Sequence, residues 1–220
     1  MKHNWKITII LLAMFLITQL IGLAVIYSYS PKQTQALVNG TLTNVTITPQ
    51  LPYGMQPPEM PSGLSLTSIL ISFAIAIFLI FLLMKLRAAI FLRFWFFAVV
   101  IIALGITFNS VFFNFTSYAS YLAIIIALPL AFYKIFKRNI IVHNLTELLI
   151  YPGIAAVFVP ILSLWSIIIL LILISIYDIY AVWHSGFMQK MAKYQINQSK
   201  IFSGFFIPYL SKKQKREIEL

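Results

Sequence analysis

The sequence predicts an all-α membrane protein, a polytopic bundle of six transmembrane helices with cytosolic N- and C-termini. Three observations lead to this prediction. The 220 residues are 61% hydrophobic and only 10% charged, with a mean hydropathy of +0.94, which is too apolar for a soluble domain of this size. The apolar residues fall in six stretches of about 20 residues, the length that crosses a bilayer. The basic residues lie between these stretches in a regular pattern.

The six predicted spans form one transmembrane domain over residues 1–184. Their approximate limits are 7–27, 65–84, 94–113, 118–136, 140–160 and 165–184. The one long connection, an external loop over 28–64, is rich in proline, threonine and asparagine, which favours extended or turn structure. The other connections are short, so consecutive helices should pack as antiparallel pairs. Residues 185–220 predict a cytosolic amphipathic segment followed by a basic tail.

The basic residues that give the net charge of +11 are distributed as this topology predicts. With the N-terminus in the cytosol, the cytosolic segments hold 15 of the 16 lysines and arginines, and Lys32 is the exception. This distribution obeys the positive-inside rule. We therefore expect a multi-pass protein of the cell membrane, with anionic lipids as partners of its basic segments and no role in nucleic-acid binding.

Few other sequence motifs indicate a catalytic, metal-binding or modification site. The chain has no cysteine, which excludes disulfides, thiolate metal sites and a cysteine nucleophile. Its three histidines lack the spacing of metal ligands. The aspartic dyad considered below needs only water and two carboxyls, so neither a metal nor a cofactor is implied. Two sequons, at Asn39 and Asn44, fall in the external loop and are candidates for glycosylation.

Two of the five acidic residues, Glu147 and Asp178, lie inside predicted spans. An ionisable side chain at such a position costs about 2.5–3.5 kcal/mol or more, so it indicates a functional site. At a rise of about 1.5 Å per residue, both carboxyls lie roughly 10 Å from the cytosolic end of their span. Two carboxyls that share a proton can activate a water and protonate a carbonyl, as in aspartic proteolysis. Intramembrane carboxyls are equally typical of proton relays.

Each carboxyl also has a structural interpretation. His143 precedes Glu147 by one helical turn, so His143, Asn144 and Glu147 predict a polar cluster near the headgroups. Such a local partner makes Glu147 a less natural mate for a second carboxyl. For Asp178 the alternative is a hydrogen bond to a neighbouring helix.

The sequence around Asp178 resembles that of a known family. The stretch Ile-Ser-Ile-Tyr-Asp-Ile-Tyr-Ala-Val over 174–182 is similar to the sixth helix of the presenilin and signal peptide peptidase family, and most similar to its archaeal-type presenilin homologues. That family consists of intramembrane aspartyl proteases. The resemblance implies that Asp178 is the first of two catalytic aspartates and that Tyr177 is the motif tyrosine, which positions the substrate. Looser similarity continues over 186–192 and 207–209.

The chain departs from the family in one respect. The second aspartate of the family lies in a Gly-x-Gly-Asp motif, and a Pro-Ala-Leu motif supports substrate binding, but this sequence contains neither. The resemblance therefore implies an N-terminal six-helix half that is inactive alone. Its partners would be a C-terminal half with both motifs, from the same gene or a second chain, and transmembrane protein substrates. The alternatives are a proton- or cation-coupled carrier subunit that uses Asp178 and Glu147, and a non-enzymatic membrane scaffold.

Overall fold

A computed structural model describes residues 5–38, 41–47, 49–55, 62–86, 88–137, 139–183, 186, 189, 193–194 and 203–207. The chain is built from helices, one in each apolar stretch: α1 Trp5–Tyr29, α2 Ser62–Lys85, α3 Ala89–Phe112, α4 Ala119–Phe132, α5 Ile140–Phe158 and α6 Leu164–Trp183. A π turn, Tyr133–Lys137, continues α4, and a 3-10 turn, Val159–Ile161, continues α5. In the described part of the chain, five helices are long and apolar enough to cross a membrane, and α2 has a shorter apolar stretch, Thr67–Leu83.

A β-hairpin lies in the loop between α1 and α2, where the sequence predicts extended or turn structure but no strand pairing. Strand β1, Lys32–Val38, pairs antiparallel with β2, Thr41–Ile47, and the register places Lys32 opposite Ile47 and Val38 opposite Thr41. Threonine and valine are frequent in these strands, and β-branched residues favour a pleated backbone. The structure therefore adds a small two-stranded sheet to the helical bundle.

Small residues let α3, α4 and α5 pack closely. Alanines at 103, 123, 127 and 131 are buried, and small residues of this kind allow membrane helices to approach one another. Gly153 of α5 lies directly against α3, because a Cβ atom at this position would be 2.0 Å from the Ala103 carbonyl oxygen. The Thr107 hydroxyl of α3 donates a hydrogen bond of 2.7 Å to the carbonyl of Leu149 in α5. The α3–α5 contact is thus made by backbone and short side chains.

A buried hydrogen-bond network joins α1 to α3 and α4. The Tyr29 hydroxyl at the end of α1 donates to the Ile106 carbonyl at 2.9 Å, and it accepts from Asn109 Nδ2 at 2.9 Å. The Ser120 hydroxyl of α4 donates to Asn109 Oδ1 at 3.0 Å. Asn109 is 5% exposed, so its carboxamide depends on these partners for its hydrogen bonds.

The segment 49–55 of the loop between α1 and α2 packs onto the same end of the bundle. Leu51 is buried in a cluster with Val25, Ile106 and Ala156. The Tyr53 ring lies against Gly105, where a Cβ atom would be 2.8 Å from the tyrosine hydroxyl, and that hydroxyl donates to the Ser120 carbonyl at 3.1 Å. Burial raises the pKa of Tyr53 above its usual 10.0. This part of the loop therefore belongs to the packed core.

Helices α2 and α6 pack against each other. The Tyr177 ring of α6 meets the Phe73 ring of α2 edge to face, with 6.2 Å between centroids. A mostly apolar groove of about 450 Å³ runs between the two helices. Large apolar side chains elsewhere on α6, including Ile172, Ile176 and Ile179, are exposed. In a bilayer, this surface of α6 meets lipid or another helix.

Candidate functional site

Asp178 lies on the exposed surface of α6. It makes no hydrogen bond or ion pair with the described residues, and its neighbours Ile176 and Ile179 are exposed apolar side chains. Tyr177 and Tyr180 line the groove toward α2, whereas Asp178 is displaced by roughly 100° around the helix from Tyr177. The structure thus separates the two residues of the Tyr-Asp pair. Tyr177 is half-buried against Phe73 of α2, and Asp178 faces outward.

Glu147 has very different surroundings. Its side chain is 4% exposed, and its Oε1 atom lies 2.5 Å from the Nζ atom of Lys134, which is 5% exposed. Lys134 belongs to the π turn after α4, a wider turn that is frequent at functional sites. A buried carboxylate is stable when an opposite charge and hydrogen bonds replace its water, and Lys134 supplies both. The Glu147 carboxylate is therefore already paired with a cation inside the chain.

His143 completes the charged part of this cluster. Its Nε2 atom is 3.8 Å from Glu147 Oε1, and its Nδ1 atom is 3.4 Å from Lys134 Nζ. Nε2 also lies 2.8 Å from the carbonyl oxygen of Gly204, which can only accept, so Nε2 carries the proton. Nδ1 is then free of hydrogen and accepts from the Lys134 ammonium. The structure brings His143 and Glu147 together and places Lys134 beside them. In the sequence, Lys134 is only one of the basic residues that follow the positive-inside pattern.

Asn144 has a separate role from the charged residues. Its carboxamide hydrogen-bonds the backbone of Phe206, with Nδ2 donating to the carbonyl and Oδ1 accepting from the N–H, both at 2.8 Å. Of the predicted trio His143, Asn144 and Glu147, only the first and last share the ion cluster. Asn144 instead holds a segment that follows α6.

The remaining predicted positions fall in the loop between α1 and α2 and after α6. Asn44 is exposed on β2, opposite Gln35, whereas Asn39 lies outside the described residues. Most of the segments 186–192 and 207–209 that resemble the presenilin family also lie outside the described residues. Where the chain is described, no group of three His, Asp or Glu side chains could hold a metal ion.

Comparison of the chain with protein-family models, curated proteins and solved structures gives no significant match. A function for this chain therefore has to be derived from the side chains described above.

Proposed function

We propose that this chain is the N-terminal, six-helix part of an intramembrane aspartyl protease and that Asp178 is one of its two catalytic aspartates. The observation that supports this proposal is the contrast between the two carboxyls in the helices. Asp178 faces outward from α6 without a partner among the described residues, whereas Glu147 is neutralised by Lys134. An outward-facing carboxyl on an apolar helix is poorly solvated in a bilayer until another polar group meets it.

The chemistry requires a second carboxyl next to Asp178. In an aspartic dyad, one carboxylate takes a proton from the attacking water while the other carboxyl protonates the scissile carbonyl oxygen. Two carboxyls in contact share one proton because both cannot stay ionised at that distance. The resemblance to presenilins assigns the second aspartate to a Gly-x-Gly-Asp helix of a C-terminal half, and the exposed face of α6 leaves room for such a helix. Water and two carboxyls are sufficient, without a cofactor.

Glu147 is a poor candidate for either proposed role. To act as the second catalytic carboxyl, it would have to leave a buried lysine, and removal of one partner from a buried ion pair costs about 3–5 kcal/mol. The same pair weakens the carrier alternative, because the Lys134 ammonium already holds the carboxylate oxygen that a transported cation would bind. The scaffold alternative predicts that Asp178 contributes to stability in the assembled protein and has no role in any reaction.

The proposed orientation places both termini in the cytosol, with six spans in the cell membrane. Five helices and the apolar stretch of α2 supply these spans, and the basic residues supply the direction. Asp178 then lies near the cytosolic side of the membrane. Substrates would be single-span membrane proteins whose helix unwinds near Asp178, because a hydrogen-bonded helix shields its carbonyls from attack.

The first test captures the protein from its native membrane through its N-terminal region and measures intact mass. We expect either a chain well above 25.1 kDa or a co-purifying fragment with a Gly-x-Gly-Asp motif. The complete assembly should cleave a single-span substrate in proteoliposomes. Asp178→Asn should abolish this cleavage, whereas Ser175→Ala, an exposed position one turn away on α6, should preserve it. Undiminished cleavage by Asp178→Asn, or a lone 25.1 kDa chain without a partner, would contradict the proposal.

A further inference from the structure

The segment 203–207 lies against α5 between His143 and Tyr151, mostly through its backbone. Its contacts are regularly spaced: Gly204 offers its carbonyl to His143 Nε2, and two residues later Phe206 exchanges two hydrogen bonds with the Asn144 carboxamide. Between them, the Phe205 ring meets the Tyr151 ring edge to face, with 6.2 Å between centroids. Each of the three central residues of the segment therefore contacts α5.

The contact at Phe206 is the one expected of extended backbone. In extended backbone the N–H and C=O groups of a single residue point to the same side. Asn144 pairs with both groups of Phe206, in the way that a neighbouring strand would. Gly204 forms a bend before this contact, so its carbonyl reaches His143 from a turned backbone.

The residues that contact the segment are held in place by α5 and by the charged cluster of Lys134, His143 and Glu147. His143, Asn144 and Tyr151 belong to one helix, and Asn144 and Tyr151 are seven residues apart, which places them on the same face two turns apart. His143 is oriented by the Lys134 ammonium at its Nδ1 atom and by the nearby Glu147 carboxylate. A ring fixed in this way presents its Nε2–H to an incoming carbonyl without further ordering.

We propose that His143, Asn144 and Tyr151 form a docking site for a polypeptide backbone, which we call the strand-docking site because Asn144 pairs with Phe206 as a strand would, and that residues 203–207 are its exchangeable intramolecular ligand. The ligand is a short peptide in which a glycine at a bend is followed by two aromatic residues, as in Ser203–Gly–Phe–Phe–Ile207. Glycine is suited to the first contact because Gly204 has a φ of +103°, where other residues are strained. This inference does not depend on proteolysis by the assembled protein.

The test must first remove the resident segment. A tethered ligand has an effective concentration in the millimolar range, so a free peptide would not displace it from the native chain. Phe206→Pro removes the N–H that donates to Asn144 and should release the segment. The full chain with this substitution is placed in lipid nanodiscs, and a fluorescent synthetic peptide with the sequence of residues 201–209 is added while its anisotropy is measured.

We expect saturable binding to Phe206→Pro and at least tenfold weaker binding to the double variant Asn144→Leu/Phe206→Pro. A matched peptide carries an N-methyl group on the phenylalanine that corresponds to Phe206. It has the same side chains but lacks the one N–H, so it should also bind at least tenfold more weakly. Absence of saturable binding to a Phe206→Pro chain that retains native thermal stability would overturn the proposal, as would equal binding of the two peptides.

A second measurement uses the otherwise native chain and does not require Phe206→Pro to fold. The protein has no cysteine, so Tyr151→Cys/Phe205→Cys introduces a single thiol pair. A short bis-maleimide should cross-link the pair within the chain, and Asn144→Leu should reduce the cross-linked fraction severalfold. Failure to cross-link, or cross-linking unaffected by Asn144→Leu, would mean that the segment is not held by this site.

Discussion

Lys134 and Glu147 form a buried ion pair, with 2.5 Å between Nζ and Oε1, across the turn that joins α4 to α5. The two residues are 13 positions apart in the sequence, with Lys134 in the π turn after α4 and Glu147 in α5. The pair closes the bundle at the end where α5 begins. It also fixes His143, and through His143 it supports the strand-docking site.

Breaking this pair from one side should be more harmful than removing it entirely. Lys134→Met leaves a buried carboxylate without a counter-charge and should cost about 3–5 kcal/mol, whereas Lys134→Met/Glu147→Leu leaves no buried charge and should recover most of that loss. The measurement is the thermal unfolding midpoint in one detergent. Lys137→Met, at an exposed position of the same turn, is the control and should have little effect. If the unfolding midpoint of the double variant falls by as much as those of Lys134→Met and Glu147→Leu added together, the two residues are not coupled.

Gly153→Ala should strongly destabilise the bundle. Its Cβ atom would lie 2.0 Å from the Ala103 carbonyl oxygen, a backbone atom that cannot move away without separating α3 from α5. We expect a loss of at least about 1–3 kcal/mol, the usual cost of overpacking. Gly22→Ala is the matched control, because nothing lies within 4 Å of a Cβ atom there. Since alanine favours helix over glycine by about 1 kcal/mol, Gly22→Ala should leave stability unchanged or raise it. Equal midpoints for the two variants would show that the α3–α5 approach is looser than described.

Tyr29→Phe should destabilise the end of the bundle near the hairpin. The substitution removes the hydroxyl that donates to the Ile106 carbonyl and accepts from Asn109, which leaves a buried amide without its partner. The expected cost is about 1–3 kcal/mol. Tyr27→Phe tests the specificity of the effect, because Tyr27 is 75% exposed and lies on the same helix. The two variants are compared by thermal unfolding, and a Tyr27→Phe midpoint as low as that of Tyr29→Phe would count against the network.

The contact between the α1–α2 loop and α3 should weaken at alkaline pH. Burial raises the pKa of Tyr53, so the folded protein keeps the phenol proton at a pH where the unfolded chain loses it. The stabilisation linked to this proton is complete below about pH 10 and is lost as the pH rises through the higher pKa of the folded state. We expect the unfolding midpoint to fall more steeply above about pH 10 in the native chain than in Tyr53→Phe. Parallel pH profiles would contradict this role.

Removal of the Asp178 charge should not destabilise the isolated chain. Because Asp178 has no partner among the described residues, Asp178→Leu breaks no described contact and replaces a charged group on an apolar surface. Insertion of the α6 segment into a bilayer should become more favourable by about 2.5 kcal/mol or more. Ser175→Leu, on the same exposed face, should have a smaller effect. A clear loss of stability for Asp178→Leu would indicate that the aspartate anchors α6 within this chain.

The helices were predictable because each is an uninterrupted apolar stretch of membrane length, and such a stretch can satisfy its backbone in a bilayer only as a helix. The hairpin was missed although its signal is in the sequence. Asn39–Gly40 separates two segments rich in threonine and valine, and this dipeptide is typical of two-residue hairpins. The prolines at 49, 52, 57, 58 and 61 predicted extended or turn structure in the loop, and 57, 58 and 61 lie outside the described residues. Prolines contain no information on which strands pair.

The site was predictable only where its partners are close in sequence. His143 and Glu147 are one helical turn apart, so their proximity follows from helix geometry. Lys134 lies across a turn, and its charge also fits the positive-inside pattern, which concealed its role as a partner. The contact between Asn144 and Phe206 joins residues 62 positions apart, and no periodicity encodes it. The outward direction of Asp178 likewise depends on how α6 packs against α2.

The direct contact of Gly153 with the Ala103 carbonyl also restricts how sequences with this fold can diverge. Every amino acid except glycine carries a Cβ atom, so any substitution at 153 must be accompanied by a shift of a whole helix. Exposed neighbours such as Phe158 and Val159 are under no such restriction. Among natural relatives, glycine should therefore persist at this position after most of the surrounding apolar residues have been exchanged for one another.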